Sequence, residues 1–283
     1  MRGKPTLWLA GGLVLCFAGA VAMRGSIETI LVFPGSATQG RAAVAPGGDH
    51  ELIPLKTPDG TRIVAEFGGA LTRGGKPADD PSGAPTVIFF CGNGACAAYM
   101  AEEFWRLRQM GANVIMPDYP GYGMSGGRPS EAGFYAAADA TYDYIVQRPG
   151  IDRDRVVAVG WSMGAAVAID LALHRRIAAL EAISAFTSVP AVAHAAVPWL
   201  PVRLILRSRF DNLAKIPAIT CPIFIAHGTV DNIVPPPMAG QLAAAAKVSV
   251  RPYMVAGAGH NDIFDTGGDA LWAAMRAGIF GAR

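Results

Sequence analysis

The chain has 283 residues, 52% of them hydrophobic and only 16% charged, with a formal net charge of +2. That length and composition supply a substantial core, enough for one large α/β domain or two small ones. So small a net charge, with no basic run interleaved with aromatics, argues against a nucleic-acid partner.

Residues 1–25 read as a segment apart from the core, and residues 26–283 as the folded domain. Arg2 and Lys4 precede an uncharged run over 5–23 that Arg24 closes. As a helix this run would span about 28 Å, close to the ~30 Å hydrocarbon layer of a membrane. A retained membrane anchor is the favoured reading. The competing one is a cleaved signal peptide, because Ala18-Gly19-Ala20 and Ala20-Val21-Ala22 both fit a small-x-small cleavage site. In either case the basic N-terminus predicts that the domain lies on the outer side, periplasmic or extracellular, or is secreted after cleavage. Cys16, Cys91, Cys96 and Cys221 form neither a disulfide framework nor a metal-ligand spacing. Cys91 and Cys96 are close enough in sequence to pair in an oxidising compartment, although small buried thiols are commoner.

Residues 26–34 look like a short packing segment, and 35–48 a Gly/Ala/Pro-rich linker. Strands over 51–57 and 61–67 flank Pro58-Asp59-Gly60, a hairpin turn. From there strands and helices alternate. Strands are predicted at 86–91, 113–117, 156–159, 179–184, 222–226 and 250–255. Helices are predicted at 97–110, from the cap residue Ser130 to about 147, at 165–173, 236–247 and 269–280. A hairpin followed by alternation implies one mostly parallel, eight-stranded sheet with helices on both faces. Residues 186–216, rich in Pro, Trp, Val and Leu, are too long for a tight connection and read as a small cap over the ligand-binding side.

The chain is organised around Gly160-Trp161-Ser162-Met163-Gly164, which joins an apolar strand to an apolar helix. Such an abrupt reversal strains the apex residue and forbids side chains on its close neighbours. It lifts the Ser162 hydroxyl clear of the sheet, above the positive end of a helix. A serine hydroxyl needs a base within hydrogen-bond reach. Of five histidines, only His260, in Gly257-Ala258-Gly259-His260-Asn261-Asp262, is both late in the chain and on a loop at the strand ends. His227 fits a buried, hydrogen-bonded role better. Asp231 follows the penultimate strand and gives the order Ser, Asp, His; Asp262 and Asp265 are rivals, but a residue two positions from the histidine rarely reaches its Nδ1. Two backbone N–H groups are needed for the developing oxyanion, and Met163 and Asn93, the latter in Gly92-Asn93-Gly94-Ala95, are the candidates. Asp118-Tyr119-Pro120-Gly121-Tyr122-Gly123-Met124-Ser125-Gly126 reads as a rigid loop packing beneath the site, without chemistry of its own.

These residues, in this order, resemble the α/β-hydrolase superfamily, most closely its membrane-tethered branch of protein depalmitoylases and uncharacterised bacterial relatives. The similarity also takes in Phe33-Pro34, Arg128-Pro129-Ser130-Glu131, Phe186-Thr187-Ser188, Trp199-Leu200-Pro201-Val202, Arg209-Phe210-Asp211 and His227-Gly228. It implies an α/β-hydrolase fold and a serine hydrolase cleaving ester or thioester bonds, with Ser162, Asp231 and His260 as the triad. Two departures stand out. Cys91 replaces a histidine that normally helps fix the oxyanion loop, which predicts less rigidly held donors. Trp161 and Met163 flank the serine where smaller or basic residues and leucine are usual.

The reading is a two-step acyl transfer on a small-molecule or lipid-like acyl substrate, with a membrane contact through the N-terminal helix. No metal, organic cofactor or nucleic acid is implied, and nothing bears on oligomeric state. A serine peptidase of the same fold is one alternative. A tethered binding module that has lost its chemistry, with Cys91 as the first sign of decay, is the other.

Overall fold

The computed structural model describes residues 28–29, 31–42, 50–79, 82–199 and 201–281. Eight strands form one sheet in the order β1-β2-β4-β3-β5-β6-β7-β8. They are β1 (Glu51–Lys56), β2 (Arg62–Gly68), β3 (Thr86–Phe90), β4 (Asn113–Pro117), β5 (Val156–Trp161), β6 (Ala179–Ile183), β7 (Ile223–Gly228) and β8 (Tyr253–Val255). β1 pairs antiparallel with β2, and β2 antiparallel with β4; every later pairing is parallel.

The strands are apolar on both faces because helices cover both. In β3, Ile88 and Phe90 join one apolar layer while Val87 and Phe89 join the other; β5 divides Val156 and Ala158 from Val157 and Val159 in the same way. α2 (Glu131–Ile145) and α3 (Met163–His174) pack on the first face. α1 (Ala101–Gln109) and α8 (Ile263–Gly281) pack on the second. Ser130 caps α2 by accepting the Gly133 N–H at 3.0 Å, as its sequence position predicts.

Between β6 and β7 the chain leaves the sheet through α4 (Val189–Ala196), α5 (Val202–Ile205) and α6 (Asn212–Lys215). The return leg is held by two carboxylates. Glu28 Oε1 accepts the N–H groups of Arg207 and Ser208 at 3.0 and 2.6 Å. Glu131 accepts those of Arg209 and Phe210 at 2.6 and 2.9 Å. α7 (Pro237–Ala245) then connects β7 to β8.

Several expectations need correction. The helix expected over 97–110 splits into a 3-10 turn (Ala97–Tyr99), whose Ala97 N–H donates to Asp118 Oδ1 at 2.8 Å, and α1. β8 is shorter than predicted, and Pro252 just before it has no N–H to give to a ladder. α8 begins at Ile263 rather than Asp269: Asp262 accepts the Thr266 N–H through its carbonyl and the Gly259 N–H through its carboxylate. Gly268, at φ 47°, breaks that helix internally. Cys91 and Cys96 do not pair; both are free, buried thiols, pushed up from the ordinary range chiefly by burial.

The membrane anchor, and the outer-side localisation built on it, are also corrected. Residues 5–23 lie outside the described residues, and among the described residues no helix is long and apolar enough to cross a membrane. The longest, α8, is interrupted at Gly268 and carries Asp265, Asp269 and Arg276.

Candidate active site

The site lies where the parallel strands end, the edge at which open α/β sheets bind ligands. Ser162 follows β5 directly, at φ 56° and ψ −116°, a region that a residue with a Cβ enters only when its surroundings dictate it. Its N–H is tied to the Ile183 carbonyl of β6 at 2.8 Å. The neighbouring glycines explain how the chain accepts this. A Cβ on Gly160 would collide with the Gly164 carbonyl, and one on Gly164 with the Phe90 carbonyl of β3. Strand and helix thus touch backbone to backbone.

Asp231 and His260 come from the loops after β7 and β8. The Ser162 hydroxyl lies 2.8 Å from His260 Nε2, and His260 Nδ1 lies 2.7 Å from Asp231 Oδ2. Asp231 Oδ1 accepts the Ile233 and Val234 N–H groups at 2.9 and 2.8 Å. Burial pushes the Asp231 carboxyl up, but hydrogen bonds from His227, His260 and Val234 outweigh it and hold the group well below the usual carboxylate range. An ionised carboxylate only accepts, so it keeps the proton of His260 on Nδ1 and leaves Nε2 free to accept from Ser162.

The rivals are placed elsewhere. Asp262 orders its own turn, as its position two residues from the histidine suggests, and Asp265 is exposed on α8. His227, fully buried, sits with Nε2 at 3.0 Å from the Val234 carbonyl and 3.2 Å from Asp231 Oδ2. It is therefore a second neighbour of the acid, a contact that sequence order alone does not reveal. His174 pairs with Asp139 on the surface.

Met163 and Asn93 both line the cavity beside Ser162. Met163 is the first residue of α3, where backbone N–H groups lack an intrahelical acceptor. Asn93 stands in the loop after β3, which is held more firmly than the loss of the usual histidine predicts. Its three consecutive carbonyls are all occupied. Cys91 O accepts the Tyr119 hydroxyl at 2.9 Å, and Gly92 O accepts the Ala95 N–H at 3.1 Å. Asn93 O accepts both the Tyr122 hydroxyl and the Gly35 N–H at 2.8 Å. The loop expected to be merely rigid packing beneath the site supplies both tyrosines. Asp118 fixes that loop in turn by accepting the Met124 N–H at 2.8 Å.

A cavity of about 840 Å³ opens onto Ser162. Phe186, Val189, Val192, Val202 and Leu206 from the segment over the sheet line it, with Leu31, Val32, Ile233 and Val234 from elsewhere. Among the described residues none of its lining side chains belongs to Asp, Glu, Lys or Arg. Trp161 lies at its edge, with its indole N–H on the His260 carbonyl at 3.3 Å. Among the described residues no cluster of three or more His, Cys, Asp or Glu is placed to hold a metal ion.

The sheet order and the strained serine turn define the α/β-hydrolase class of fold, and the comparisons agree. The model of the alpha/beta hydrolase family matches residues 87–213. An uncharacterized protein of Mycobacterium tuberculosis is 36% identical over 207 residues, 72% of this chain and 74% of its own. Alpha/beta hydrolase domain-containing protein 17B of Xenopus laevis is 34% identical over 214 residues, 75% of this chain and 70% of its own. Among solved structures, the Pyrococcus furiosus esterase Pf2001 superposes with a TM-score of 0.68 at 18% identity, covering 86% of this chain and 99% of that one. An acetyl xylan esterase from Paenibacillus sp. R4 reaches 0.67 at 17% identity, covering 84% and 86%. The chain belongs to the alpha/beta hydrolase family.

Proposed function

We propose that this protein is a serine hydrolase acting on carboxylic esters or thioesters with an apolar acyl group. The observation that carries the reading is the unbroken line of hydrogen bonds from Asp231 through His260 to Ser162, ending in an uncharged cavity. Ser162 attacks the carbonyl carbon while His260 Nε2 takes its proton, and Asp231 stabilises the imidazolium so formed. The N–H groups of Met163 and Asn93 receive the charge that develops on the carbonyl oxygen. Collapse of the tetrahedral intermediate expels the alcohol or thiol, protonated by His260, and leaves an acyl-serine. Water, activated by the same histidine, then releases the acid. The segment over 186–216 acts as a small cap that shelters the acyl group, its apolar side chains excluding water from the acyl-enzyme.

The test is intact-mass labelling of the full chain with a fluorophosphonate, beside Ser162→Ala and His260→Ala variants. One adduct on the parent and none on either variant is the expected result. A folded parent that takes no label overturns the proposal and returns the protein to a binding role. A parent that labels and cleaves peptide bonds, while hydrolysing unactivated alkyl esters and thioesters no faster than the Ser162→Ala variant, replaces the esterase by a peptidase.

A further inference from the structure

Residues 31–38 lie outside those matched by the family model, yet they reach the site. Leu31 and Val32 line the cavity. Phe33 is buried and packs edge-on against Phe134, with ring centroids 5.2 Å apart. Glu28, itself buried, ties the return leg of the cap through the Arg207 and Ser208 N–H groups. Val32 O accepts the Asn93 side-chain amide at 3.1 Å, and the Gly35 N–H donates to Asn93 O. Gly35 has no substitute there: a Cβ would collide with the Tyr122 ring and crowd Asn93 O.

The consequence concerns the direction of one N–H. The Asn93 N–H shares a trans peptide plane with Gly92 O and points opposite to it. Gly92 O is turned toward Ala95, and the peptide planes on either side are held through Cys91 O and Asn93 O. Among the described residues, backbone–backbone bonding uses the Asn93 carbonyl and gives its N–H no acceptor, and Asn93 lines the cavity. We infer that Tyr122 and the strap residue Gly35 are positioning residues, which hold Asn93 O so that the Asn93 N–H stays aimed at the oxyanion. The strap is thereby a working part of the site. This rests on the serine-hydrolase reading above.

The experiment compares full-chain Tyr122→Phe with Tyr142→Phe. The latter removes a hydroxyl from another backbone carbonyl, that of Arg176, away from the site. Each is assayed for kcat and KM on p-nitrophenyl butyrate and for inhibition by an alkyl trifluoromethyl ketone, which forms a tetrahedral alkoxide on the serine. Tyr122→Phe is expected to lower kcat about tenfold, a fraction of the ~10²–10³ lost when an oxyanion donor is removed outright. KM stays within about twofold, because the bond matters to the transition state rather than to ester binding. The ketone weakens in parallel with kcat, and Tyr142→Phe moves neither quantity. Gly35→Ala, checked for an intact thermal transition, gives the same pattern from the strap side. If the parent reacts but Tyr122→Phe retains full kcat and ketone affinity, or merely matches Tyr142→Phe, the inference falls and the hydrolase reading stands. A parent that takes neither fluorophosphonate nor ester overturns both.

Discussion

The elbow that carries Ser162 and the loop that carries Asn93 face each other across one cavity, but they are held in place by different physics. The elbow is fixed by hard backbone contacts: Gly160 lies on the Gly164 carbonyl beside it, and Gly164 on Phe90 of the adjoining strand. The Asn93 loop is fixed by polar bonds to distant chain. Its hydroxyl donors stand 28 and 29 residues downstream, and the Val32 carbonyl stands 61 residues upstream. Steric exclusion of this kind tolerates no side chain at all, whereas a polar clamp shared among several donors weakens by steps. The two halves should therefore fail differently.

The largest effect is expected from paired glycine substitutions. Gly164→Ala sets a methyl group against the backbone of β3, which cannot yield without opening the sheet, and should cost roughly 3 kcal/mol or more in stability. Gly94→Ala, in the opposite loop, meets nothing within 4 Å and has no positive φ. It should stay within about 0.5 kcal/mol of the parent. Denaturant titration of both variants tests the contrast, and equal losses would refute the steric account of the elbow. Next comes Asp231→Asn. The amide oxygen can still accept from the Ile233 and Val234 N–H groups, so the loop persists. His260, however, loses the acceptor that keeps its proton on Nδ1, and kcat should fall by about 10³–10⁴ while the protein remains folded at the assay temperature. Full activity in this variant would remove Asp231 from the reaction.

The same difference decides what could be read from the sequence. The elbow was legible because its constraint is local: glycines two residues either side of one serine leave few other conformations. The strand order was legible because turn residues, apolar runs and cap residues such as Ser130 are local signals too. Asp231 and His260 were found by chain order and loop position. Their contact with His227 was not, since that histidine lies in β7 and the acid stands in the loop beyond it, without any spacing that announces a bond. The clamp on Asn93 was hidden for the same reason. Tyr119 and Tyr122 looked like packing, and only the fold brings their hydroxyls onto the carbonyls of Cys91 and Asn93. Gly267 and Gly268 masked the early start of α8, where the Asp262 carbonyl accepts the Thr266 N–H.

The smallest effect reaches the clamp from beneath. Glu66, on β2, is buried beside the Asp118 carboxylate and the Arg108 guanidinium, and Asp118 orders the loop that bears both tyrosines. Burial first, and the Asp118 charge second, push the Glu66 carboxyl from 4.5 to about 7, with Arg108 opposing. A carboxyl raised on folding stabilises the native state fully below its unfolded pKa, because the proton is held in both states. Between about pH 4.5 and 7 the native protein keeps a proton that the unfolded chain has lost, so stability falls as pH rises and levels off above the folded value. Glu66→Gln stays neutral throughout. It should flatten that slope and, at pH 8, exceed the parent by ~1–3 kcal/mol in urea unfolding. If Asp118 transmits the charge to the Asn93 loop, the parent's kcat on a neutral ester should decline over the same interval relative to the variant. Parallel unfolding profiles at pH 5 and pH 8 would mean that Glu66 is ionised in the native protein and that the loop side of the site carries no proton-linked weakness.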